Sequence, residues 1–251
     1  MSDTPPAVIL VRPQMAENIG ATARAMKNCA LDDLRLVAPQ GAWPDDRARP
    51  PASGAEGILD NATVHDTVPA AVADLHALYA TSSRDRGFVR TVMTPRRAAD
   101  SMRRRAAAGD RAGVLFGPER TGLTNDELGV ADAEISVPLN PGFASLNLAQ
   151  AVLLVGYEWF QAGDTTPDEH LATRSSGAAT RAELGGVFDH LERELTDSGF
   201  LKVPEKRANM MRNIRAMFQR ANLTKQEVRT LRGIVVSLSG LRDKRRSGEG
   251  S

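Results

Sequence analysis

Five short, nearly continuous apolar runs alternate with stretches of helical periodicity through the first two thirds of this chain. They are "AVILV" (7–11), "LRLVA" (34–38), "ALYATS" (77–82), "AGVLFG" (112–117) and "AEISVPL" (133–139). Runs of this kind suit parallel strands covered on both faces, because such strands have no solvent side to mark with polar residues. Helical patterns fill the gaps at about 18–29, 69–75, 95–107 and 124–130, and a long one covers about 147–162. Thr124 and Glu127 have capping-box spacing and fix the start of the fourth. "QGAWPDDRARPPASGAEG" (40–57) reads as a loop leading into a short helix. Strand–helix alternation of this length predicts an α/β domain over 1–162, a mostly parallel sheet with helices on both faces.

The pattern then changes. "GDTTPDEHLATRSSGAAT" (163–180) is rich in breakers, and 163–179 is the expected linker. From 180 to 246 the sequence is purely helical, with capping boxes at Thr180/Glu183 and Thr224/Glu227, and 247–251 is expected to be a disordered tail. Met210, Ile214, Met217, Phe218 and Ala221 share one face of the middle helix and read as core. The net charge of +1 hides an asymmetry: residues 1–180 carry 17 basic and 22 acidic side chains, residues 181–251 carry 15 and 9. The basic excess after Gly199 fits either a nucleic-acid-binding appendage or a solvated helical surface.

Other classes recede. A single cysteine, Cys29, allows no intrachain disulfide and no cysteine-based zinc site, and the four histidines lack ligand spacing, so no metal is expected. No apolar run approaches the roughly 18 residues needed to span a bilayer, and the first residues resemble no secretory signal. The expected location is cytoplasmic, without membrane association. Neither G-x-G-x-x-G nor a Walker A loop is present.

Chemistry is left to small-residue loops at the ends of the predicted strands, where open α/β sheets bind ligands. "ENIGATAR" follows the first strand, "TSSR" (81–84) the third, "FGPERTGLT" (116–124) the fourth and "PLNPGFASLNLAQA" (138–151) the fifth. Each has a plain explanation alone: Asn18 as an N-cap, Arg24 paired with a carboxylate, "GPER" as a turn, Ser145 as a helix cap. Together they combine glycine with fixed polar groups at equivalent strand ends.

N-x-G-A-x-x-R, F-G-x-E-x-x-G-L and N-P followed by S-L-N resemble the three motifs of the SpoU/TrmH-type RNA ribose 2′-O-methyltransferases of the SPOUT superfamily, across residues 7–162. "FDHLERELTDSGFL" and "PEKRANMMRNIRAMFQRANLTKQEVRTLRGI" are similar to the helical extension of the TrmJ group. The resemblance implies a C-terminal trefoil knot in the α/β domain, a homodimer packed through its first and last helices, S-adenosylmethionine as cofactor and tRNA as partner, with no DNA. It implies methylation of the ribose at position 32 of the anticodon loop, on cytidine or uridine. Ribosomal RNA as substrate, and a non-catalytic RNA-binding relative, are the alternatives.

By motif, the resemblance implies a catalytic set of Arg24, Asn18, Glu119, Ser145 and Asn147. Cofactor contacts would come from Thr81, Ser82, Ser83, Gly117, Val137, Ala144, Ser145 and Leu146. Ala144 departs from a pattern in which relatives could carry serine, with little consequence if its contact is through backbone. Arg24 is implied as the activator of the ribose hydroxyl. An arginine stays protonated at neutral pH, with a pKa above about 12, so a base role needs a large shift, and alignment of the adjacent phosphate is the other role open to it. Asn18 and Gly20 are expected to bring backbone close to the reacting centre. Among the cations after Gly199, Lys206, Arg207, Arg212 and Arg215 are the expected RNA contacts, a subset of them paired with local carboxylates.

Overall fold

The computed structural model describes residues 4–82, 89–169 and 176–247, with 241–247 as helix backbone alone. The chain forms two compact units, Met1–Thr166 and Pro167–Ser251.

The first unit is an α/β layer structure. Its strands are β1 (Ala7–Val11), β2 (Leu34–Val37), β3 (Thr63–His65), β4 (Ala77–Thr81), β5 (Val92–Met93), β6 (Ala112–Phe116) and β7 (Ala133–Ile135). They lie in the order β3-β2-β1-β6-β4-β7-β5, and every pairing is parallel. The helices are α1 (Ala16–Asn28), α2 (Arg49–Ala52), α3 (Glu56–Asp60), α4 (Val68–Val72), α5 (Pro95–Ala107), α6 (Asn125–Gly129) and α7 (Leu148–Gln161). Both faces of the sheet are covered. Val8, Leu10, Tyr79, Val114 and Phe116 join a core with residues of α1, α5 and α7. Ile9, Val11, Leu78, Ala80 and Leu115 join a second core with α4 and α6 on the other side. Side chains alternate between faces along each strand, so both parities are apolar and the runs read as continuous.

The five expected strands form, with two differences. β7 stops at Ile135 instead of reaching 139, because an irregular run through Pro138 and Pro141 follows. β3 and β5 are additional edge strands. They are three and two residues long and largely exposed, so they carry none of the apolar continuity of the central strands.

Two charged side chains are buried in the sheet and both are paired. Arg35 meets Asp33 and Asp74, and Glu134 meets Arg90 at 3.1 Å. Chiefly through the Arg35 hydrogen bond, the Asp74 carboxyl is drawn down to about 2.

Gly20 lies buried inside α1, where a Cβ would stand 1.9 Å from the carbonyl oxygen of Ala48. The glycine therefore admits the backbone of the segment leading into α2, not a ligand.

The second unit holds α8 (Arg181–Asp197), α9 (Pro204–Arg220) and α10 (Lys225–Ser247). The capping contacts expected at Thr180/Glu183 and Thr224/Glu227 are formed. Residues 176–179 belong structurally to this unit. Ala178 bridges Thr224, and the Ser176 hydroxyl accepts from the Gln226 amide at 3.0 Å. The inward face of α9 differs from the expected stripe: Met211 is buried and Met217 is 52% exposed. Met211, Ile214 and Phe218 stand three and four residues apart on one face, and the Phe218 ring lies 6.3 Å from that of Phe188 on α8.

Candidate active site

From β1 the chain runs outward through β2 to β3, then returns on the other side of β1 with β4, and β6 later fills the gap between them. Loops leaving the carboxyl ends of β1 and β4 therefore diverge, which opens a crevice at this point of the sheet. Beside it, bounded by the ends of β4, β6 and β7 and by the run into α7, lies a cavity of about 410 Å³. Thr81, Ser82, Gly117, Glu119, Val137, Ala144, Ser145 and Leu146, all expected site residues, line it. Ser83 lies outside the described residues.

Two features hold this cavity open. The end of β4 is tied on both sides: the Thr81 hydroxyl donates to the Leu115 carbonyl at 3.0 Å, and the Ser82 amide donates to the Ile135 carbonyl at 3.1 Å. The loop after β6 folds back on itself. A Cβ on Gly117 would stand 2.3 Å from the Leu123 amide nitrogen, and Gly122 has φ +68°. Only glycine permits both the contact and the left-handed turn that makes it.

Beside the cavity, three segments are joined by one hydrogen-bond chain. Glu119 accepts from the Gln14 amide at 3.1 Å and from Asn18 Nδ2 at 2.7 Å. Asn18 Oδ1 accepts from Asn147 Nδ2 at 3.0 Å. Asn147 Oδ1 in turn accepts from the Ala149 amide at 2.9 Å as the N-cap of α7, and Gln150 Oε1 accepts from the Asn147 amide. Asn18 is therefore not a cap. α1 begins at Ala16 behind an uncapped Met15, and the Asn18 side chain leaves its first turn to bridge two loops. Ser145 is not a cap either; that place belongs to Asn147.

A second link holds the loop after β6 at its far end. Arg12, just past β1 with φ +46°, pairs with both oxygens of Glu127, the residue that also completes the cap of α6. Burial pushes the Glu127 carboxyl up, but hydrogen bonds from Arg12 and Thr124 outweigh that and leave it below its ordinary value. Sequence reasoning missed Arg12 as well as Arg120, an exposed arginine on the cavity wall. The adjacency of Arg120 to Glu119 within the loop was the available signal.

Arg24 stands apart. It is exposed, makes no hydrogen bond or ion pair among the described residues, and does not line the cavity. Six residues beyond Asn18, it points about 120° away from it around α1. Of the expected RNA contacts, Arg207 pairs with Glu192 at 3.2 Å, and Arg215 reaches Glu192 at 3.5 Å and Asp189 at 3.8 Å while lying over the Phe188 ring. Lys206 and Arg212 are exposed and meet no carboxylate among the described residues. No group of acidic, histidine or cysteine side chains suited to a metal occurs among the described residues, and no helix among them is long and apolar enough to cross a membrane.

Two family models match the chain. The SpoU rRNA Methylase family model matches residues 5–157, and the model of the tRNA methyltransferase TrmJ C-terminal domain matches 182–249. The tRNA (cytidine/uridine/adenosine-2′-O-)-methyltransferase TrmJ of Pseudomonas aeruginosa is 39% identical over 236 residues, 91% of each chain. The crystal structure of TrmJ from Z. mobilis ZM4 is similar with a TM-score of 0.78 and 44% identity, covering 93% of this chain and 99% of that one. A probable methylase family protein from Haemophilus influenzae Rd KW20 is similar with a TM-score of 0.59 and 33% identity, covering 94% and 97%. A cavity lined by two of the motif loops and the end of β4, a basic helical unit, and similarity over more than nine tenths of the chain lead to one conclusion: this chain belongs to the SpoU methylase family, within its TrmJ group.

Proposed function

We propose that this protein is a tRNA ribose 2′-O-methyltransferase that uses S-adenosylmethionine and acts at nucleotide 32 of the anticodon loop, on cytidine and uridine. The observation that carries the reading is the cavity of about 410 Å³ at the sheet's carboxyl edge, with Glu119 on its wall bonded to Asn18 and through it to Asn147. The residues suit the cofactor. Leu123, Ile135, Val137, Leu139 and Leu146 offer an apolar bed for an adenine ring, and backbone groups at Gly117 and Ala144–Leu146 lie beside it for polar edges. Exposed Arg120 supplies a cation for the amino-acid carboxylate. When bound, S-adenosylmethionine supplies a sulfonium methyl that an in-line oxygen nucleophile can take without a metal.

The chain's own work is alignment. Glu119, Asn18 and Asn147 lock the loops after β1 and β6 to the start of α7, so the wall cannot drift relative to the incoming ribose. Ser145 presents a hydroxyl at that wall. Arg24 is the group to hold the ribose hydroxyl or its adjacent phosphate, and its exposed place off the cavity suits a site completed by a second copy. α7 supports such a homodimer, since Leu153, Leu154, Tyr157 and Phe160 are all 37–52% exposed on a helix that also packs on its own sheet. The trefoil knot belongs to the same reading, formed where the run from β7 to α7 passes the other cavity loops.

Lys206 and Arg212, free of carboxylates, are the cations we assign to tRNA phosphates, with Arg207 and Arg215 tied into the packing of α9 on α8. Replacing Lys206 and Arg212 together by alanine is expected to weaken tRNA binding. Each phosphate no longer neutralised should flatten the slope of log affinity against log salt by about 1. Unchanged affinity and slope would return both residues to the solvated surface. The function itself is tested by nucleoside mass mapping of tRNA incubated with the protein and S-adenosylmethionine. A 2′-O-methyl mark at nucleotide 32 is the expected result; a mark only on ribosomal RNA, or none, overturns the reading.

A further inference from the structure

The cavity accounts for a cofactor and a ribose, but not for the base attached to that ribose. One side chain between its lining residues is left largely in solvent. Phe143 is 73% exposed, the most exposed aromatic ring among the described residues, in a chain with only 4% aromatic residues. Its backbone is fixed while its ring is left in water. The Phe143 amide donates to the Asn140 carbonyl at 2.8 Å, and the Gly142 amide donates to Asn140 Oδ1 at 3.0 Å, so residues 140–143 form a closed turn. Leu139 before that turn and Ala144, Ser145 and Leu146 after it line the cavity.

We propose that Phe143 is a stacking platform for the nucleobase carried by the ribose that is methylated. This rests on the proposed function above. A nucleotide in a structured loop must leave its stack before its 2′-hydroxyl can meet a buried methyl donor, and the stacking given up needs replacement. An aromatic face at the cavity mouth replaces it without reading hydrogen-bond edges, since every base has a π-face. Such a platform accepts cytidine and uridine alike, and places no bar on a purine.

The test is steady-state kinetics of the full-length protein with tRNA and S-adenosylmethionine. Phe143→Ala should lower kcat/KM for tRNA by roughly 5- to 150-fold, the range of base–aromatic stacking. Calorimetric affinity for S-adenosylmethionine and the melting temperature should change little, because Phe143 is largely exposed. Phe143→Tyr and Phe143→Trp should keep near-parental rates, and Phe143→Leu should fall with Phe143→Ala, separating a ring from mere apolar cover. Parental kinetics in Phe143→Leu would overturn the stacking role. So would a variant that sediments as a lighter species than the parent, since Phe143 would then belong to a contact between copies. A parent that methylates tRNA alongside an indifferent Phe143→Ala removes this inference alone; a parent that methylates no tRNA removes the function and the platform together.

Discussion

Replacing Arg24 by alanine is expected to lower turnover by about 10²- to 10³-fold, the loss typical of one donor aimed at developing charge, while calorimetric affinity for S-adenosylmethionine stays at the parental value. Arg24 is exposed, makes no ion pair among the described residues and touches no wall of the cavity, so its removal should disturb neither folding nor the cofactor. An effect confined to turnover would put the guanidinium on the substrate side of the reaction. Near-parental turnover would remove Arg24 from the chemistry.

Gly117→Ala should do the reverse and strike the cofactor. The added Cβ would meet the Leu123 nitrogen at 2.3 Å and the Gly122 carbonyl carbon at 2.5 Å, and both are backbone, with no rotamer to swing aside. The loop 117–123 must open, and a wall displaced by about 1 Å costs on the order of 10²-fold in a site that works by alignment. Turnover should fall by at least that factor and calorimetry should show weakened cofactor binding; binding at parental affinity would mean that the loop does not form the pocket. Together the two variants decide how Arg24 acts. If it serves the cavity of a second copy, mixed dimers of Arg24→Ala and Gly117→Ala contain one intact site. With random pairing, half the dimers are mixed, so about a quarter of parental activity should return. If Arg24 serves its own chain, the mixture stays as inactive as its parts.

Much of this arrangement is legible in the sequence for a physical reason. Central parallel strands are apolar on both faces, so β1, β2, β4, β6 and β7 announce themselves, while β3 and β5 sit at the edges with little to bury. Capping boxes at Thr124, Thr180 and Thr224 are read from spacing alone because both partners lie within one turn. The motif residues Glu119, Asn18 and Asn147 are named by resemblance, but their direct bonding depends on three distant loops meeting. Gly20 shows a different limit. A glycine that admits a neighbouring carbonyl and one that admits a ligand look the same in one dimension, and only the Ala48 contact separates them. Arg24 and Phe143 depend on exposure, which no local pattern encodes.

The bonds that unite Glu119, Asn18 and Asn147 span 101 and 129 residues of chain. During synthesis, therefore, the first of these groups waits for nearly the whole α/β unit to emerge before its last partner exists. Loop closure over such distances is slow compared with forming the helices and neighbouring strand pairs. A nascent or clipped chain ending before α7 could assemble β1, β2 and β6 and still lack the clasp across its crevice. On the proposed function, competence for the cofactor is a late checkpoint of maturation, and pulse-labelled chains are expected to acquire it after their secondary structure is complete.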